Sequence, residues 1–409
     1  MTTVNALKEV AVLTALEECV DLRSGKTPAR NRPEYWSGAM PWFSAKDLKS
    51  FQLEDSEEHI SDAAVADGAP IAAIGDILML VRGMTLMKDV PVGVLSRAAS
   101  FNQDLKSLRP VDGISSVYLG YMLAASRPRL MAMVERAGHG TGRLAVERLL
   151  CLPVWKPDAE TQEFIETILQ RHDKVLQLSQ DLISAKRIYK RGLMHQLLTG
   201  QMRFREFRKS SWKSSRLGDH VSGVTRRNAS GSTLALTASG EHGLVDQRRY
   251  FNRNVAGADL SRYWLLKKGE FAYNRSAMKG YPYGATKRLD AHDEGVLSTL
   301  YLCFAIMDPR LNSNYLQHVF DSGVLNRQLR PIVRVGARAH GLLNVSDEDY
   351  FSINIPFPRI EEQRRIADVL EALNSELDLI AALQGRIEVQ KRALLARLLN
   401  GELSVPASS

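Results

Sequence analysis

The sequence has few cysteines and no long apolar run. Its three cysteines, Cys19, Cys151 and Cys303, form no CxxC pair. Such an odd, scattered set argues against a disulfide framework or a structural zinc site and fits a reducing compartment. The longest apolar stretch, from Ala69 to Val81, is interrupted by glycine and aspartate and is too short to span a bilayer. With no signal-peptide pattern at its start, the sequence predicts a cytoplasmic protein without a membrane partner.

Sequence motifs of enzyme chemistry are also missing. There is no GxxxxGK[ST] phosphate loop, no HExxH zinc motif, no GxSxG nucleophile elbow and no Asn/Asp-Pro-Pro-aromatic motif of amino-methyltransferases. Glu34 followed by Asp47 and Lys49 loosely resembles a metal-dependent nuclease core, but two carboxylates and a lysine arise easily by chance. The nine histidines show no metal-ligand spacing. We therefore predict a non-catalytic chain that holds no metal and no cofactor.

An excess of positive charge is present instead. The chain has 54 Lys and Arg against 46 Asp and Glu, a net charge of +8, and residues 1–215 and 216–409 contribute equally to it. This balance favours an anionic partner such as nucleic acid. Many basic proteins reach similar totals, so charge alone does not decide the function.

The most informative feature is an internal repeat with a period of 201 residues. Between 157–200 and 358–401 the two copies agree at 14 of 44 positions without a gap, well above chance. Proline stands near the start of each copy and glycine at its end, and acidic residues fill the first turn, as at helix boundaries. Apolar residues recur at mixed spacings of three and four, which is typical of coiled coils.

Each repeated segment therefore predicts a helix of about 40 residues, roughly 60 Å long. We expect the two helices to bury their apolar stripes on each other, antiparallel, although each could instead pack on its own domain. The first segment is the more polar, with His172, Ser179 and Lys186 where the second has apolar residues. We interpret that part as exposed or facing a partner protein, while polar residues that fix helix register remain an alternative.

The remaining two regions, called heads below, mix short β-like runs with helical stretches and glycines. They predict a mixed α/β (α+β) fold. The predicted divisions are a first head at 1–152, a first helix with linker at 153–211, a second head at 212–355, a second helix at 356–403 and a flexible tail at 404–409. The heads have diverged far more than the helices, which suggests two different ligands on one frame.

Both heads contain basic and amide side chains suited to DNA. Arg and Asn make bidentate contacts with guanine and adenine edges, whereas Lys mostly binds phosphates. A glycine-containing basic loop also precedes each long helix, at 138–143 and 334–341, where bare main chain can approach a phosphate. The candidate DNA-binding residues are Arg23, Lys26, Arg30, Arg32, Trp42, Arg82, Arg143, Arg226, Arg227, Asn274, Arg275, Lys279, Lys287 and Arg338. Taken singly, each of them is better explained as a solvated surface residue, whereas as a set they favour DNA.

Several motifs together resemble the specificity subunits of type I restriction-modification systems. The first head shows Gly25-Lys-Thr-Pro28, Tyr35-Trp36 and Pro41-Trp-Phe-Ser44, and the second shows Gly269-Glu-Phe-Ala-Tyr-Asn-Arg-Ser276 and Tyr281-Pro-Tyr-Gly284. The second helix opens with Ile355-Pro-Phe-Pro358 and Glu361-Glu-Gln363 and closes with Leu398-Leu-Asn-Gly-Glu402. The first helix departs from this pattern, with Trp155-Lys156 and Thr161 at matching positions.

This resemblance implies two target-recognition domains joined by antiparallel helices with pseudo-twofold symmetry. Each domain would read one half of a bipartite, asymmetric target in double-stranded DNA. Two methyltransferase subunits would dock on the helices, and restriction subunits would complete the endonuclease; S-adenosylmethionine, ATP and magnesium would belong to those partners. The candidate docking residues are Glu160, Gln162, Glu361, Glu362 and Gln363. A stand-alone DNA-binding regulator and a structural coiled-coil adaptor remain the alternatives.

Overall fold

The computed structural model describes residues 13–136, 140–253, 257, 259–335 and 343–399. The chain forms two compact units, one of residues 1–180 with 382–409 and the other of residues 181–381. The long helices α5 (Ala159–Leu198) and α10 (Ile360–Leu399) each contribute one part to either unit. Helices and strands are mixed throughout, which confirms the predicted fold class.

The first unit is built around a mixed sheet of order β2-β10-β6-β8-β4, beside smaller sheets of order β5-β3-β9, β11-β12-β7 and β1-β13. Its strands are β1 (Leu13–Ala15), β2 (Val20–Ser24), β3 (Met40–Phe43), β4 (Gln52–Leu53), β5 (Glu58–Ile60), β6 (Ile77–Leu80), β7 (Arg82–Gly83), β8 (Val92–Leu95), β9 (Ser100–Phe101), β10 (Leu105–Pro110), β11 (Val134–Arg136), β12 (Gly142–Leu144) and β13 (Pro153–Trp155). Its shorter helices are α1 (Asp62–Ala66), α2 (Ser116–Ala125), α3 (Arg127–Met133) and α4 (Val146–Leu150).

The second unit has a central antiparallel sheet of order β15-β22-β19-β20 and four two-stranded sheets, β16-β17, β18-β21, β23-β24 and β14-β25. Its strands are β14 (Lys213–Arg216), β15 (Val221–Gly223), β16 (Leu236–Ser239), β17 (Gly243–Asp246), β18 (Trp264–Lys267), β19 (Phe271–Asn274), β20 (Ala285–Arg288), β21 (Glu294–Leu297), β22 (Tyr301–Ile306), β23 (Arg334–Val335), β24 (Leu343–Asn344) and β25 (Asn354–Phe357). Its shorter helices are α6 (Gln247–Phe251), α7 (Ser313–Asp321), α8 (Asn326–Ile332) and α9 (Asp347–Phe351).

The core of each unit joins the central sheet to parts of both long helices. In the first unit, all four residues of β6 are buried, and Ile165 of α5 and Leu395 of α10 belong to the same cluster. In the second, Phe271 and Phe304 stack with ring centroids 5.4 Å apart, and Ile366 of α10 lies in that core. The apolar stripe of the helices is thus buried mainly where it meets a head.

The duplication is visible in the strand register. Strand β1 pairs antiparallel with β13, with Thr14 opposite Val154, and β14 pairs in the same way with β25, with Ser215 opposite Ile355. Both positions are shifted by the 201-residue period. The strand that opens each head is therefore tied to the strand that precedes a long helix, so the head and helix are fixed to each other at both ends of the head.

The long helices run antiparallel inside each unit, as predicted. Gln180 contacts Gln384 through a 3.3 Å side-chain hydrogen bond in the first unit, and Lys186 forms a 2.7 Å ion pair with Glu376 in the second. The expected burial of the whole apolar stripe is wrong, however. Leu182 and Leu383 remain 45% and 54% exposed, because the cores that cover the helices lie at the heads.

Candidate DNA interface

Two arginines face each other on the small sheet of the first unit. Arg143 of β12 lies directly opposite Arg82 of β7 in the antiparallel register, and both side chains are exposed. Within the described part of the chain, neither guanidinium group has a hydrogen bond or an ion pair. Like charges opposite each other across strands repel, so an anion placed between them would stabilise the pair. This is the arrangement expected of a phosphate contact.

The other candidates of the first head are mostly engaged by the protein itself. Arg30 forms a two-bonded ion pair with Glu58, whose pKa it holds below its usual value, and stacks 3.7 Å from the Trp36 ring centroid. Lys26 donates to the Asp67 carbonyl at 2.8 Å, and Arg32 donates to the Tyr35 hydroxyl at 2.6 Å. These contacts compete with DNA for the same donors.

Trp42 and Arg23 stand at opposite extremes of exposure. Trp42 is 3% exposed, and its indole N–H donates to the Lys26 carbonyl at 3.2 Å, so it supports the loop and has no surface to offer a base. Arg23 is exposed on β2, and among the described residues its side chain has no partner. Arg23 therefore stays a candidate.

In the second unit, two candidates near β18 are held by their neighbours. Arg226 donates to both carboxylate oxygens of Glu270, at 2.9 and 2.7 Å. Arg227 donates to the Arg262 carbonyl and lies 3.9 Å from the Trp264 ring centroid. Both side chains would have to exchange these partners to contact DNA.

A second group lies at the end of β19. Asn274 ends this strand and is half-buried, and Lys279 is exposed on the loop that follows. Arg275 pairs with Asp347 through one terminal nitrogen, while its buried Nε atom has no partner among the described residues. A buried donor without an acceptor costs free energy. Within the described residues the Arg275 guanidinium is therefore not fully satisfied, and Arg275 stays a candidate.

The last two DNA candidates have different outcomes. Lys287 is buried, and its ammonium donates to Asp321 at 2.6 Å and to the Tyr281 hydroxyl at 2.8 Å. Burial lowers the pKa of Lys287, but Asp321 and Tyr281 outweigh burial and hold it above its usual value. Lys287 is therefore a core ion pair, which corrects its assignment to DNA. Residues 138–139 of the first glycine-containing loop and residues 336–341 of the second, including Arg338, lie outside the described residues.

Two of the predicted docking residues, Gln162 and Gln363, are buried and bind neighbouring backbone groups of their own unit. We call them the glutamine brackets. Gln162, which is 2% exposed, accepts from the Ser115 backbone N–H at 2.8 Å and donates to the Gly113 and Pro157 carbonyls. Gln363, fully buried, repeats this pattern one period later, accepting from the Asn312 N–H at 2.8 Å and donating to the Arg310 and Pro358 carbonyls. Each glutamine thus ties the first turn of a long helix to the turn that opens a helix of the head.

Glu362 is likewise internal, whereas its acidic neighbours are on the surface. The Glu362 carboxylate is 1% exposed and accepts from Arg203 at 2.9 and 2.7 Å and from the Trp212 indole at 2.9 Å. This buried pair fastens the linker after α5 to the start of α10. Glu160 and Glu361 are exposed and stay candidates for docking a partner.

Among the described residues, no group of His, Cys, Asp or Glu side chains is arranged to hold a metal ion. None of the helices described combines the length and apolar character needed to cross a membrane.

Known proteins resemble this chain in sequence and in fold. Residues 11–185 match the family model of the type I restriction modification DNA specificity domain. The chain is 26% identical over 151 residues to the specificity subunit of the type I restriction enzyme EcoR124I/EcoR124II of Escherichia coli, covering 36% of this chain and 37% of the relative. It is 25% identical over 169 residues to the MjaIX specificity subunit of Methanocaldococcus jannaschii, covering 40% and 38%. The match therefore spans less than two fifths of either relative.

Solved structures share the fold over nearly the whole chain. The S subunit of a type I restriction-modification system from M. genitalium aligns with a TM-score of 0.55 and 14% identity, over 97% of this chain and 98% of that one. A chain from a structure on complex assembly and conformational transition of the type I R-M system aligns with a TM-score of 0.60 and 12% identity, over 96% and 98%. At such identity these likenesses establish the fold. Residues 11–185 are thus similar to type I restriction modification DNA specificity domains, the family that the sequence motifs also resemble.

Proposed function

We propose that this chain is the DNA-recognition subunit of a type I restriction-modification complex. It reads a bipartite, asymmetric target, one half with each head, and docks methyltransferase and restriction subunits that supply the chemistry. The observation that supports this most strongly is the duplicated frame: brackets and strand registers recur at the 201-residue period, while the heads they hold carry different basic surfaces. One protein with two unlike heads on one frame suits a target with two unlike halves.

The exposed arginines support DNA as the ligand. Arg82 and Arg143 offer adjacent positive charges without a protein partner among the described residues. In the second unit, Lys279 offers one exposed positive charge that likewise has no side-chain partner among the described residues. Phosphate contacts supply most of the affinity of such interfaces, and base contacts supply the specificity.

The test is selection of bound fragments from a random DNA pool, with and without a methyltransferase subunit of a type I system. We expect enrichment of one split target whose halves differ, and site-specific adenine methylation only when the partner is present. A single palindromic site bound by the chain alone would favour a stand-alone regulator, and no enrichment in either arm would favour a coiled-coil adaptor. Methyl transfer from S-adenosylmethionine by the isolated chain would contradict the proposal.

A further inference from the structure

The 201-residue period places matching side chains where each head helix meets the long helices. Asp173 of α5 matches Asn374 of α10, and Lys391 of α10 matches Lys190 of α5. The head helices are related by a slightly different shift, since α2 begins at Ser116 and α7 at Ser313. By that shift Tyr121 matches His318. The same position in the two units can therefore be compared directly.

In the first unit this position is filled by a carboxylate. The Tyr121 hydroxyl donates to one oxygen of Asp173 at 2.7 Å, and the Lys391 ammonium donates to the other oxygen. Lys391 also lies 5.2 Å from the Tyr121 ring centroid. Burial first, and then the Asp173 carboxylate, raise the pKa of Tyr121, so the tyrosine stays a neutral donor. The three side chains satisfy one another.

In the second unit the carboxylate is missing. Asn374 replaces the aspartate, and the half-buried Lys190 has no hydrogen bond or ion pair within the described residues. Burial lowers the pKa of Lys190, as expected of an ammonium that has lost water without gaining a partner. His318 is 6% exposed, and burial lowers its pKa to about 4, so it is neutral near pH 7.

Lys190 lines an open cavity of about 850 Å³ within the second unit. Four cationic and three anionic side chains line this cavity. Lys287 is neutralised by Asp321, and Arg187 lies 3.9 Å from Glu241. Asp321 and then Asp378 attract the Lys190 ammonium, but only at longer range than an ion pair. Lys190 and Arg191 then remain with Asp378, so the described lining lacks one negative charge. The comparison of the two units locates that loss beside Lys190, because Asn374 stands where the first unit has Asp173.

We infer that this cavity is a binding site for a carboxylate group, with Lys190 as its cationic partner and Asn374 beside it. A singly charged carboxylate fits the charge count, whereas a phosphate dianion would meet the repulsion of Asp321 and Asp378. The group can come from a small carboxylic acid or from an acidic side chain of a partner subunit. The site goes beyond the proposed function.

The test measures how fast Lys190 is labelled by an amine-reactive reagent, read by peptide mass spectrometry on the full chain. Sodium acetate is compared with sodium chloride at equal ionic strength. We expect acetate to slow labelling of Lys190 by about tenfold at saturation, because an ion pair that raises the pKa of an amine by one leaves about a tenth of the free base. Labelling of the exposed Lys279 should not change, which controls for reagent loss.

Two variants make the outcome decisive. Asn374→Asp restores the missing carboxylate, so Lys190 should be slow to label in chloride already and should no longer respond to acetate. Asp173→Asn opens the matching position of the first unit, so Lys391 should gain an acetate response that the unaltered chain lacks. An absent acetate effect on Lys190, or an equal effect in Asn374→Asp, would overturn the inference.

A third arm identifies the source of the carboxylate. The chain is labelled in chloride while bound to a methyltransferase subunit. Protection of Lys190 there, with no further effect of acetate, assigns the group to a partner side chain; a persisting acetate effect assigns it to a small molecule. Because the first two arms use the isolated chain without DNA, their result does not depend on whether the proposed function is correct.

Discussion

At the scale of single residues, a basic side chain can bind DNA only if the protein leaves its donors available. Arg82 and Arg143 meet this condition in the first unit, while Arg30 is engaged by Glu58 and Trp36. Changing Arg82 and Arg143 to Gln should weaken binding of all DNA sequences alike and lower the slope of log affinity against log salt by about one per lost phosphate contact. Fluorescence anisotropy over a salt series measures both effects.

The matched control is Arg30→Gln, which removes a charge from the same head. We expect it to change the salt slope little, since its guanidinium is already neutralised. If Arg30→Gln lowers the slope as much as Arg143→Gln does, the ion pair with Glu58 opens on DNA and our ranking of the two arginines is wrong.

Base reading in the second unit is predicted at Arg275 and Lys279. Changing both to Ala should relax recognition of one half-site by roughly 1–3 kcal/mol if a true base contact is lost. The other half-site should remain fully specified, which is checked by sequencing bound DNA. Equal loss of specificity in both halves would instead identify these residues as general phosphate contacts.

The sequence identified these residues as candidates for DNA binding but could not show which of them are already paired within the protein. The partner of Arg30 lies 28 residues away, that of Arg226 lies 44 away and that of Arg275 lies 72 away. Such pairs are created by tertiary packing and leave no local pattern. Lys287 is the clearest case, because a lysine in a glycine- and tyrosine-rich stretch resembles a phosphate contact until Asp321 of α7 is seen beside it.

At the scale of elements, the glutamine brackets determine how a head is attached to a long helix. Gln363→Leu would keep the volume but remove the side-chain partner of the half-buried Asn312 N–H and of two carbonyls. We expect a loss of about 1–3 kcal/mol in the free energy of unfolding of the second unit. Urea denaturation measures the loss, and faster hydrogen exchange at the Asn312 amide locates it.

Gln162→Leu should act in the same way on the first unit, through the Ser115 amide. The exposed Arg364 supplies a control on the same helical turn, since Arg364→Ala should stay within about 0.5 kcal/mol. If Gln363→Leu is no less stable than Arg364→Ala, the brackets contribute nothing and the strand pairing alone fixes the head.

Periodicity predicted the long helices well, because a helix of 40 residues repeats its signal many times. Proline and glycine predicted their ends for the same local reason: Gly200 adopts a φ of +72° just past the end of α5, a conformation that side chains with a Cβ disfavour. The pattern could not show which apolar positions the heads cover. Nor could it show that Gln162 and Gln363 face inward, since glutamine in a first helical turn is ordinarily exposed.

At the scale of the whole molecule, the two copies keep the same attachment between a head and a long helix, whereas the sequences of the heads have diverged. The strand registers and glutamine brackets recur at one period, and the helices are equal at 40 residues. The central sheets also keep four strands in the same order, β2-β10-β6-β8 and β15-β22-β19-β20, but the first unit adds β4 at one edge, and the sequences of the heads have diverged far more than those of the long helices. Selection that keeps two helices equal in length while heads diverge indicates that helix length itself matters for function.

We therefore predict that the long helices act as a ruler between the two half-sites. One heptad added to each, after Leu182 and after Leu383, keeps the apolar spacing and lengthens each helix by about 10 Å. At about 3.4 Å per base pair this corresponds to roughly three more base pairs of spacer. Three base pairs also turn the DNA by about 100°, whereas a heptad barely rotates a head.

Binding should consequently weaken, because DNA or protein must twist to restore the match, while the sequences of the half-sites stay the same. Selection from a pool with randomised spacers, performed with the unaltered and the lengthened chain side by side, measures both properties. A heptad added to α5 alone is the control: it makes the two long helices unequal in length and should abolish selection of any one spacer. An unchanged spacer in the doubly lengthened chain would show that the helices do not set the distance.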